Sequence, residues 1–204
     1  MKAVVPVLAL LALMACTPKP PIYILTKSTA EPLAQVKTAR LEAQPVAKVD
    51  LHDFKRAFVK KYGSELAFLQ GFNQEVAADL AQGAAGEAPV YKVELPLLNV
   101  DAHVVTSSMM VGAGPTAHWQ TTSTEYCDIR LTYQVRDRDG RVVLDGVVTE
   151  STAKGEFLHP NQGKLANAVA GVRQHLVDYL RGRMAPENVA SLDLAVSEGK
   201  PAIQ

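Results

Sequence analysis

The sequence is short of the residue types that usually carry catalysis or cross-link a small exported domain. Its 204 residues include two cysteines, one tryptophan and five histidines, and aromatic residues make up 6%. With so few cysteines the fold has to be held by packing rather than by disulfides. Basic and acidic side chains number 21 each, which excludes the concentrated positive field of a nucleic-acid-binding surface. We therefore expect no nucleic-acid partner.

Catalytic and metal-binding motifs are missing as well. There is no G-x-S-x-G elbow and no P-loop. A zinc site needs three or four converging ligands, and no histidine has His-x-x-x-His spacing or a cysteine partner nearby. We therefore expect no metal, no cofactor and no enzymatic activity, although a site assembled only in the fold stays open as an alternative. The histidines are His52, His103, His118, His159 and His175.

One glycine-rich segment matches a cofactor motif in letters. Residues Gly112 to Ala117 read G-A-G-P-T-A, which is the G-x-G-x-x-A form of the dinucleotide fingerprint. A true fingerprint opens a helix whose N-terminus meets a pyrophosphate, but residues 117–124 are polar and lack helical periodicity. We interpret the segment as a loop between two strands.

The N-terminus departs from the average composition of the chain. Lys2 is the only charge before an apolar run from Val4 to Met14. Such a run is too short to span a bilayer, which takes about 20 apolar residues, and it is typical of a secretory signal peptide. The run ends in Leu13-Met14-Ala15-Cys16, in which Ala15 is small enough for a cleavage pocket and the Cys16 thiol can carry a lipid.

This ending resembles the lipobox of bacterial lipoproteins. The resemblance implies cleavage between Ala15 and Cys16 and acylation of Cys16, including palmitate, as the membrane anchor. At roughly 0.8 kcal/mol per buried methylene, two or three acyl chains give a lasting anchor. Thr17 follows the cysteine where an Asp would imply retention, so the enterobacterial sorting rule implies the outer membrane more than the inner.

The remaining chain divides into a tether, a folded body and a tail. We assign residues 1–15 to the signal peptide, 16–34 to the tether, 35–183 to one globular domain and 184–204 to a C-terminal tail. The tether contains four prolines and no sustained period. Its apolar residues Ile22 to Leu25 could instead form a short strand on the domain, and Leu192 to Val196 could add another.

Three segments of the body have the apolar spacing of amphipathic helices. Asp53 and Ser64 are placed to cap the first two. The third, Gly163 to Arg183, is expected to lay its stripe on a sheet and leave its polar residues in water. The stripes are Phe54, Phe58 and Tyr62; Leu69, Phe72, Val76 and Leu80; and Leu165, Val169, Val172, Leu176 and Leu180. The residues expected in water are Arg173, Gln174, Asp178 and Arg181.

The other segments predict strands, and Asp137-Arg138-Asp139-Gly140 between two alternating runs predicts a hairpin. Pro45 is expected to interrupt the first strand and Pro96 to mark an edge or a break. The predicted fold is a single two-layer α+β domain, a mainly antiparallel sheet covered on one face by helices. The strands lie at Val36 to Val49, Val90 to Val100, His103 to Val111, Tyr126 to Arg136 and Arg141 to Ser151.

Two side chains attract functional hypotheses, Cys127 in a predicted strand and Trp119 after the Gly/Pro loop. Cys127 belongs to the apolar set of its alternating strand, so we expect it in the core as a small hydrophobe. Trp119, next to His118, follows the Gly/Pro loop, and tryptophan is over-represented at binding hot spots. We take Trp119 and His118 as a candidate partner contact, with packing of Trp119 into the core as the alternative.

The order of parts is similar to that of small envelope lipoproteins that accompany larger machines. Tyr23-x-Leu25 shortly after the lipobox resembles auxiliary lipoproteins of lipid-transport ABC systems, and the layout of 35–183 resembles penicillin-binding-protein activators. The resemblance implies a noncatalytic binding or accessory component of an envelope complex, lipid-anchored and facing the periplasm, with another envelope protein as its partner. The alternative is a periplasmic small-ligand binder or enzyme.

Overall fold

The computed structural model describes residues 24–26, 30–82, 88–112, 114–153, 164–184 and 188–191. Ala15, Cys16, His159 and the segment Leu192 to Val196 lie outside these described residues. Within them, no helix has the length and apolar character needed to cross a bilayer. The elements are β1 (Ile24–Thr26), α1 (Ala30–Lys37), β2 (Arg40–Asp50), α2 (Lys55–Tyr62), α3 (Glu65–Ala81), β3 (Val90–Val111), β4 (His118–Arg136), β5 (Val142–Ala153), α4 (Lys164–Leu180) and β6 (Val189–Ser191).

The strands form one mixed sheet in the order β2-β3-β4-β5-β1-β6. Four long strands, β2 to β5, make up most of it, and β1 and β6 add three residues each. The pairs β3/β4, β4/β5 and β5/β1 are antiparallel, whereas β2/β3 and β1/β6 are parallel. Helix α3 packs on β2, and α4 packs on β4 and β5. The predicted α+β class, a largely antiparallel sheet with a helical layer, is confirmed.

The core lies between the sheet and the helices, and β4 shows how the sequence builds it. Alternate residues of this strand, from Cys127 to Val135, are fully buried, because successive side chains of a strand point to opposite faces. The prediction that Cys127 is a core residue is therefore confirmed. The buried set on β4 is Cys127, Ile129, Leu131, Tyr133 and Val135.

Of the two predicted helix caps, one is confirmed and one is wrong. The Ser64 hydroxyl accepts a hydrogen bond from the Ala67 amide at 3.0 Å and so caps α3. Asp53 instead lies within a short 3-10 helix, His52–Phe54, and Phe54 occupies the cap position of α2 with no side-chain cap. The extra turn places the Phe54 ring in the core, and this burial overrides the capping preference of the acid.

The apolar stripe of α4 is buried as predicted, but Arg173 of this helix and Arg181, which follows it directly, are only partly exposed. Arg173 pairs with Glu75 and, at 2.7 Å, with Asp79, both on α3. Arg181 donates to the carbonyl oxygen of Ala39 at 2.8 Å and to that of Leu80 at 2.6 Å. The expectation of solvent exposure was wrong for both arginines because α3 lies beside α4, and this neighbour could not be deduced from the periodicity of α4.

Strand boundaries differ from the prediction at the two prolines. Val36 belongs to α1, so the first long strand starts at Arg40. Neither Pro45 nor Pro96 ends its strand. Each lies inside a register shift, between Ala43 and Val46 in the β2/β3 pair and between Glu94 and Leu97 in the β3/β4 pair. Proline lacks the N–H that a regular ladder needs, and an irregularity of register accommodates it.

Two short features were foreseen from the sequence. Of the short strand predicted at Ile22 to Leu25, the described residues Ile24 and Leu25 do lie in a strand, in which Ile24 pairs with Val148 of β5. In the β4–β5 turn, Asp137 Oδ1 accepts hydrogen bonds from the amides of Asp139 and Arg141, both at 2.9 Å. The side chain of Asp137 thus closes the turn, as expected for an Asp at this position.

Candidate functional site

Strands β3 and β4 continue well past the strands beside them. The last pair of β2 with β3 ends at Asn99, and the last pair of β5 with β4 ends at Tyr126. Beyond these points, within the part of the chain that the structure describes, β3 and β4 pair with each other alone, as far as Val111 opposite His118. We call residues 102–124, the two strand ends and their connecting turn, the arm. Among the described residues it is a two-stranded ribbon that joins the body at its root.

The arm has no buried side chain among its described residues, although Val100 and Cys127 at its root are fully buried. Large apolar residues are exposed instead: Val104 and Val105 near the root, and the three largest at the tip. Met109, Met110 and Trp119 have exposed fractions of 63%, 60% and 67%. Met110 lies directly opposite Trp119, while Met109 points to the other face because strand side chains alternate. The tip is therefore apolar on both faces.

The arm is also free of formal charge. No Asp, Glu, Lys or Arg occurs between Asp101 and Glu125, although these residues make up 21% of the chain. Between the root and the apolar tip, hydroxyl side chains pair across the two strands: Thr106 with Ser123 at 3.1 Å, and Ser108 with Thr121 at 2.9 Å. Exposed strand edges in soluble proteins usually carry charged residues that discourage contact with other chains. The edges of the arm lack such residues and are open to contact.

The turn at the end of the arm is tight and depends on glycine. Gly112 has a φ of +96°, and a Cβ at this position would lie 2.9 Å from the Thr116 carbonyl oxygen. A short 3-10 turn, Gly114–Thr116, leads into a strand and not into a helix. The glycines therefore serve chain reversal, which confirms the loop interpretation and removes the helix N-terminus that a dinucleotide site requires.

A buried carboxylate lies at the root of the arm, on the face opposite the core residues of β4. Asp128 is 4% exposed. Its Oδ1 accepts a hydrogen bond from the Ser151 hydroxyl at 2.6 Å, and its Oδ2 lies 2.8 Å from Arg130 Nη2 and 3.0 Å from His103 Nδ1. The His103 ring also stacks on Tyr126, with centroids 5.4 Å apart. The cluster joins β3, β4 and β5 where the arm begins.

The contacts of this cluster hold strands together and do not form a nucleophile–base pair. Nucleophilic catalysis needs the serine hydroxyl on a base such as the imidazole. Here the Ser151 hydroxyl donates to Asp128, and His103 Nδ1 lies beside the same carboxylate, so the serine is not arranged on the imidazole. Partnered in this way, the carboxylate holds three strands in register at the root of the arm.

A second buried carboxylate ties the sheet to the helical layer. Glu150 of β5 is 8% exposed, and its Oε2 lies 3.2 Å from His175 Nδ1 of α4. Gly171 provides the space, because a Cβ there would lie 3.1 Å from the Glu150 Cδ. The sequence analysis missed this pair. An acid two residues after Val148, at an inward position of an alternating strand, was the available signal.

Both candidate contact residues, Trp119 and His118, lie at the tip of the arm. Exposure of Trp119 excludes the alternative that it packs in the core. His118 is exposed beside it, with Nδ1 3.3 Å from the Thr116 carbonyl oxygen. The sequence analysis missed Met109 and Met110 as members of this surface, although a window of 23 residues without charge in the sequence pointed to it.

Across the described ranges no three metal-ligating side chains come together. Two open depressions of about 620 and 370 Å³ lie elsewhere, the first beside Tyr91 and Asp139 and the second beside Asp79 and Arg181. Neither is lined by His118 or Asp128.

Comparison with known proteins gives distant structural likenesses. No protein-family model matches the chain, and no curated protein matches it. Among solved structures, the chain is similar to a minor lipoprotein from Acinetobacter baumannii, with 9% identity, a TM-score of 0.31 and coverage of 70% of this chain and 93% of that one. It is also similar to a neuraminyllactose-binding hemagglutinin homolog from Helicobacter pylori, with 6% identity, a TM-score of 0.32 and coverage of 74% and 86%.

Proposed function

We propose that the protein is a lipid-anchored lipoprotein of the bacterial envelope that acts by noncatalytic contact, as an accessory component of an envelope complex. One observation carries the proposal: a charge-free arm projects from the body and gathers Met109, Met110 and Trp119 at its exposed tip. Exposed apolar clusters of this kind mark sites of contact with another protein or with a membrane.

The buried polar groups support a contact role over catalysis. Asp128 and Glu150 are each bound by side chains of neighbouring elements, and those contacts fasten strands and helix to one another. The anchor follows from the lipobox residues Ala15 and Cys16. The outer membrane remains the expected location because Thr17 follows the cysteine.

The experiment that tests the anchor compares the two cysteines. Wild type, Cys16→Ala and Cys127→Ala are expressed with labelled palmitate, and the envelope is fractionated. Wild type and Cys127→Ala should take up label and stay with membranes, because Cys127 is buried in β4. Cys16→Ala should remain an unlabelled precursor. Label in the Cys16→Ala chain would refute the anchor.

The accessory role is tested in the same cells by cross-linking the envelope and purifying each variant. We expect one membrane complex to be recovered with wild type and Cys127→Ala and to be absent with Cys16→Ala, because the lipid holds the protein beside its partner. Identical recovery from all three variants would show that association does not depend on the anchor. Turnover of a small molecule by the purified protein would favour the enzymatic alternative.

A further inference from the structure

We propose that the arm docks into the membrane that carries the lipid anchor, with Trp119 and its methionine neighbours seated in the interfacial layer of the bilayer. The proposal rests on the lipid anchor proposed above and names the surface that the arm contacts. It follows from the direction of β1, from the length of chain before it, and from the chemistry of the arm.

The direction of β1 brings the N-terminal chain to the arm's end of the sheet. Strand β5 runs from the β4–β5 turn towards the root of the arm, where Ala153 pairs with Tyr126. Strand β1 is antiparallel to β5 and starts at Ile24, so it runs away from the arm. The residues that precede Ile24, including Cys16, therefore join the sheet from the side on which the arm projects.

The distances then place the tip beyond the anchor. Ile24 is level with Leu131, because both pair with Val148. Trp119 is twelve residues farther along β4, about 40 Å at ~3.4 Å per residue. Cys16 is eight residues before Ile24 and can reach at most about 28 Å in the same direction. Even with the tether fully extended towards the arm, the tip therefore lies at least about 12 Å beyond the Cys16 backbone, so a membrane that holds the Cys16 lipid at this end meets the tip before the body.

The side chains of the tip suit the interfacial layer of a bilayer. Interfacial elements bury their apolar face about 5–10 Å into the boundary between headgroups and acyl chains, and tryptophan favours this level because its ring is apolar with one polar N–H. Met109 and Met110 supply the apolar contact on both faces of the ribbon. A charged side chain in this position would have to be desolvated, and residues 102–124 contain no Asp, Glu, Lys or Arg.

The backbone limits insertion to the tip. A two-stranded ribbon has unpaired N–H and C=O groups along both outer edges, and these cannot be buried in hydrocarbon. The hydroxyl pairs Thr106–Ser123 and Ser108–Thr121 lie just behind the tip, at the level where headgroups and water can satisfy polar groups. Because the arm lacks Lys and Arg, we expect binding without dependence on anionic lipid.

Trp119 is the single tryptophan of the chain, so the intrinsic fluorescence of the protein reports the tip directly. The lipidated full chain is reconstituted into phosphatidylcholine vesicles whose acyl chains are brominated near the headgroup or near the methyl end. We expect the Trp119 emission to shift to shorter wavelength relative to that of the Cys16→Ala chain expressed without residues 1–15 and kept in buffer. Bromines near the headgroup should quench it more strongly than those near the methyl end.

A matched pair of variants separates insertion from anchoring. The double variant Met109→Asp/Met110→Asp should still float with vesicles through its lipid but lose both the shift and the quenching. Leu66→Asp places the same charge on a residue that is 65% exposed on α3 and should retain both. Wild type that floats while Trp119 stays unquenched would overturn the docking proposal and leave the anchor standing. Wild type that does not float would overturn the anchor and the docking proposal together.

Discussion

Strands β3 and β4 each have a half in the body and a half in the arm, and the two halves are built on different principles. In the body, inward residues such as Leu98 and Ile129 are fully buried under the helices. In the arm the same strands bury none of their described side chains. The body half is stabilised by apolar burial, whereas the arm half has only its ladder and its cross-strand pairs.

This comparison shows that an extended strand is not by itself a sign of core. A two-stranded ribbon in water is marginally stable, so the arm depends on its root, where Asp128 joins β3, β4 and β5, and on whatever it contacts. The body, in contrast, has its own core. Mutations should therefore separate the two regions by their effect on the free energy of unfolding.

The largest difference should come from truncating apolar residues in the two halves of β3. Leu98→Ala removes a fully buried side chain, and we expect a loss of about 2–5 kcal/mol. Met109→Ala removes a side chain that is 63% exposed, and we expect a change within about 0.5 kcal/mol. Urea denaturation followed by far-UV circular dichroism measures both. Equal shifts for the two variants would break the comparison.

Removing a polar contact should likewise lower the free energy of unfolding more in the body than in the arm. Arg181 of the body binds carbonyl oxygens just before β2 and at the end of α3, and burial together with nearby Arg183 lowers its pKa. Arg181→Met leaves these carbonyls without their donor, and we expect a loss of about 1–3 kcal/mol. Ser108→Ala removes an exposed hydroxyl pair of the arm and should cost less than about 0.5 kcal/mol. Thermal melting of both proteins is the measurement; a larger loss for Ser108→Ala would contradict it.

Replacing two glycines by alanine tests how tightly the body is packed. Gly71 of α3 has open space where a Cβ would lie, so Gly71→Ala should stabilise by about 0.5–1 kcal/mol through helix propensity. A Cβ on Gly171 would lie 3.2 Å from Glu150 Oε2, and Glu150 is held by His175. Gly171→Ala should therefore gain less than Gly71→Ala or destabilise. An equal gain in stability at both positions, in the same denaturation series, would show that the Glu150 side chain moves aside for the added Cβ.

The smallest effect concerns alkaline pH. Burial raises the pKa of Tyr62 above its ordinary 10.0. The folded state then holds the phenol proton more tightly than the unfolded state, so this contribution is complete below about pH 10 and is lost as the pH rises through the folded-state pKa. Tyr62→Phe should flatten the fall of stability above that pH and leave its pH dependence below unchanged. Since residues 102–124 contain no tyrosine, the measurement reports the body alone. A difference confined to neutral pH would contradict the assignment.

Local patterns in the sequence predicted much of the body. Ser64 capped its helix, the alternation around Cys127 located a core strand, and Asp137 formed its turn. The errors share one cause. Asp53 does not cap α2, because the turn that buries Phe54 places Phe54 at the cap position. Arg181 is only partly exposed, because α3 lies beside α4. Each depends on a neighbour distant in sequence, which a local period does not encode.

The candidate site was half predictable for a similar reason. Trp119 and His118 stood out by residue type, and the absence of charge from Asp101 to Glu125 is visible in the letters. That these residues form an exposed arm depends on where β2 and β5 stop pairing. The Asp128 cluster likewise brings His103, Arg130 and Ser151 together only through the register of three strands.

The sequence by itself determined the α+β class, the strand and helix types, the inward face of β4 and the lipobox hypothesis, because these depend on periodicity and on short motifs. Only the tertiary structure decided that β3 and β4 extend beyond β2 and β5, that Trp119 is exposed at a tip, and that β1 starts on the side of the arm. Strand pairing and register are long-range choices, made by the packing of the whole sheet rather than by any one segment.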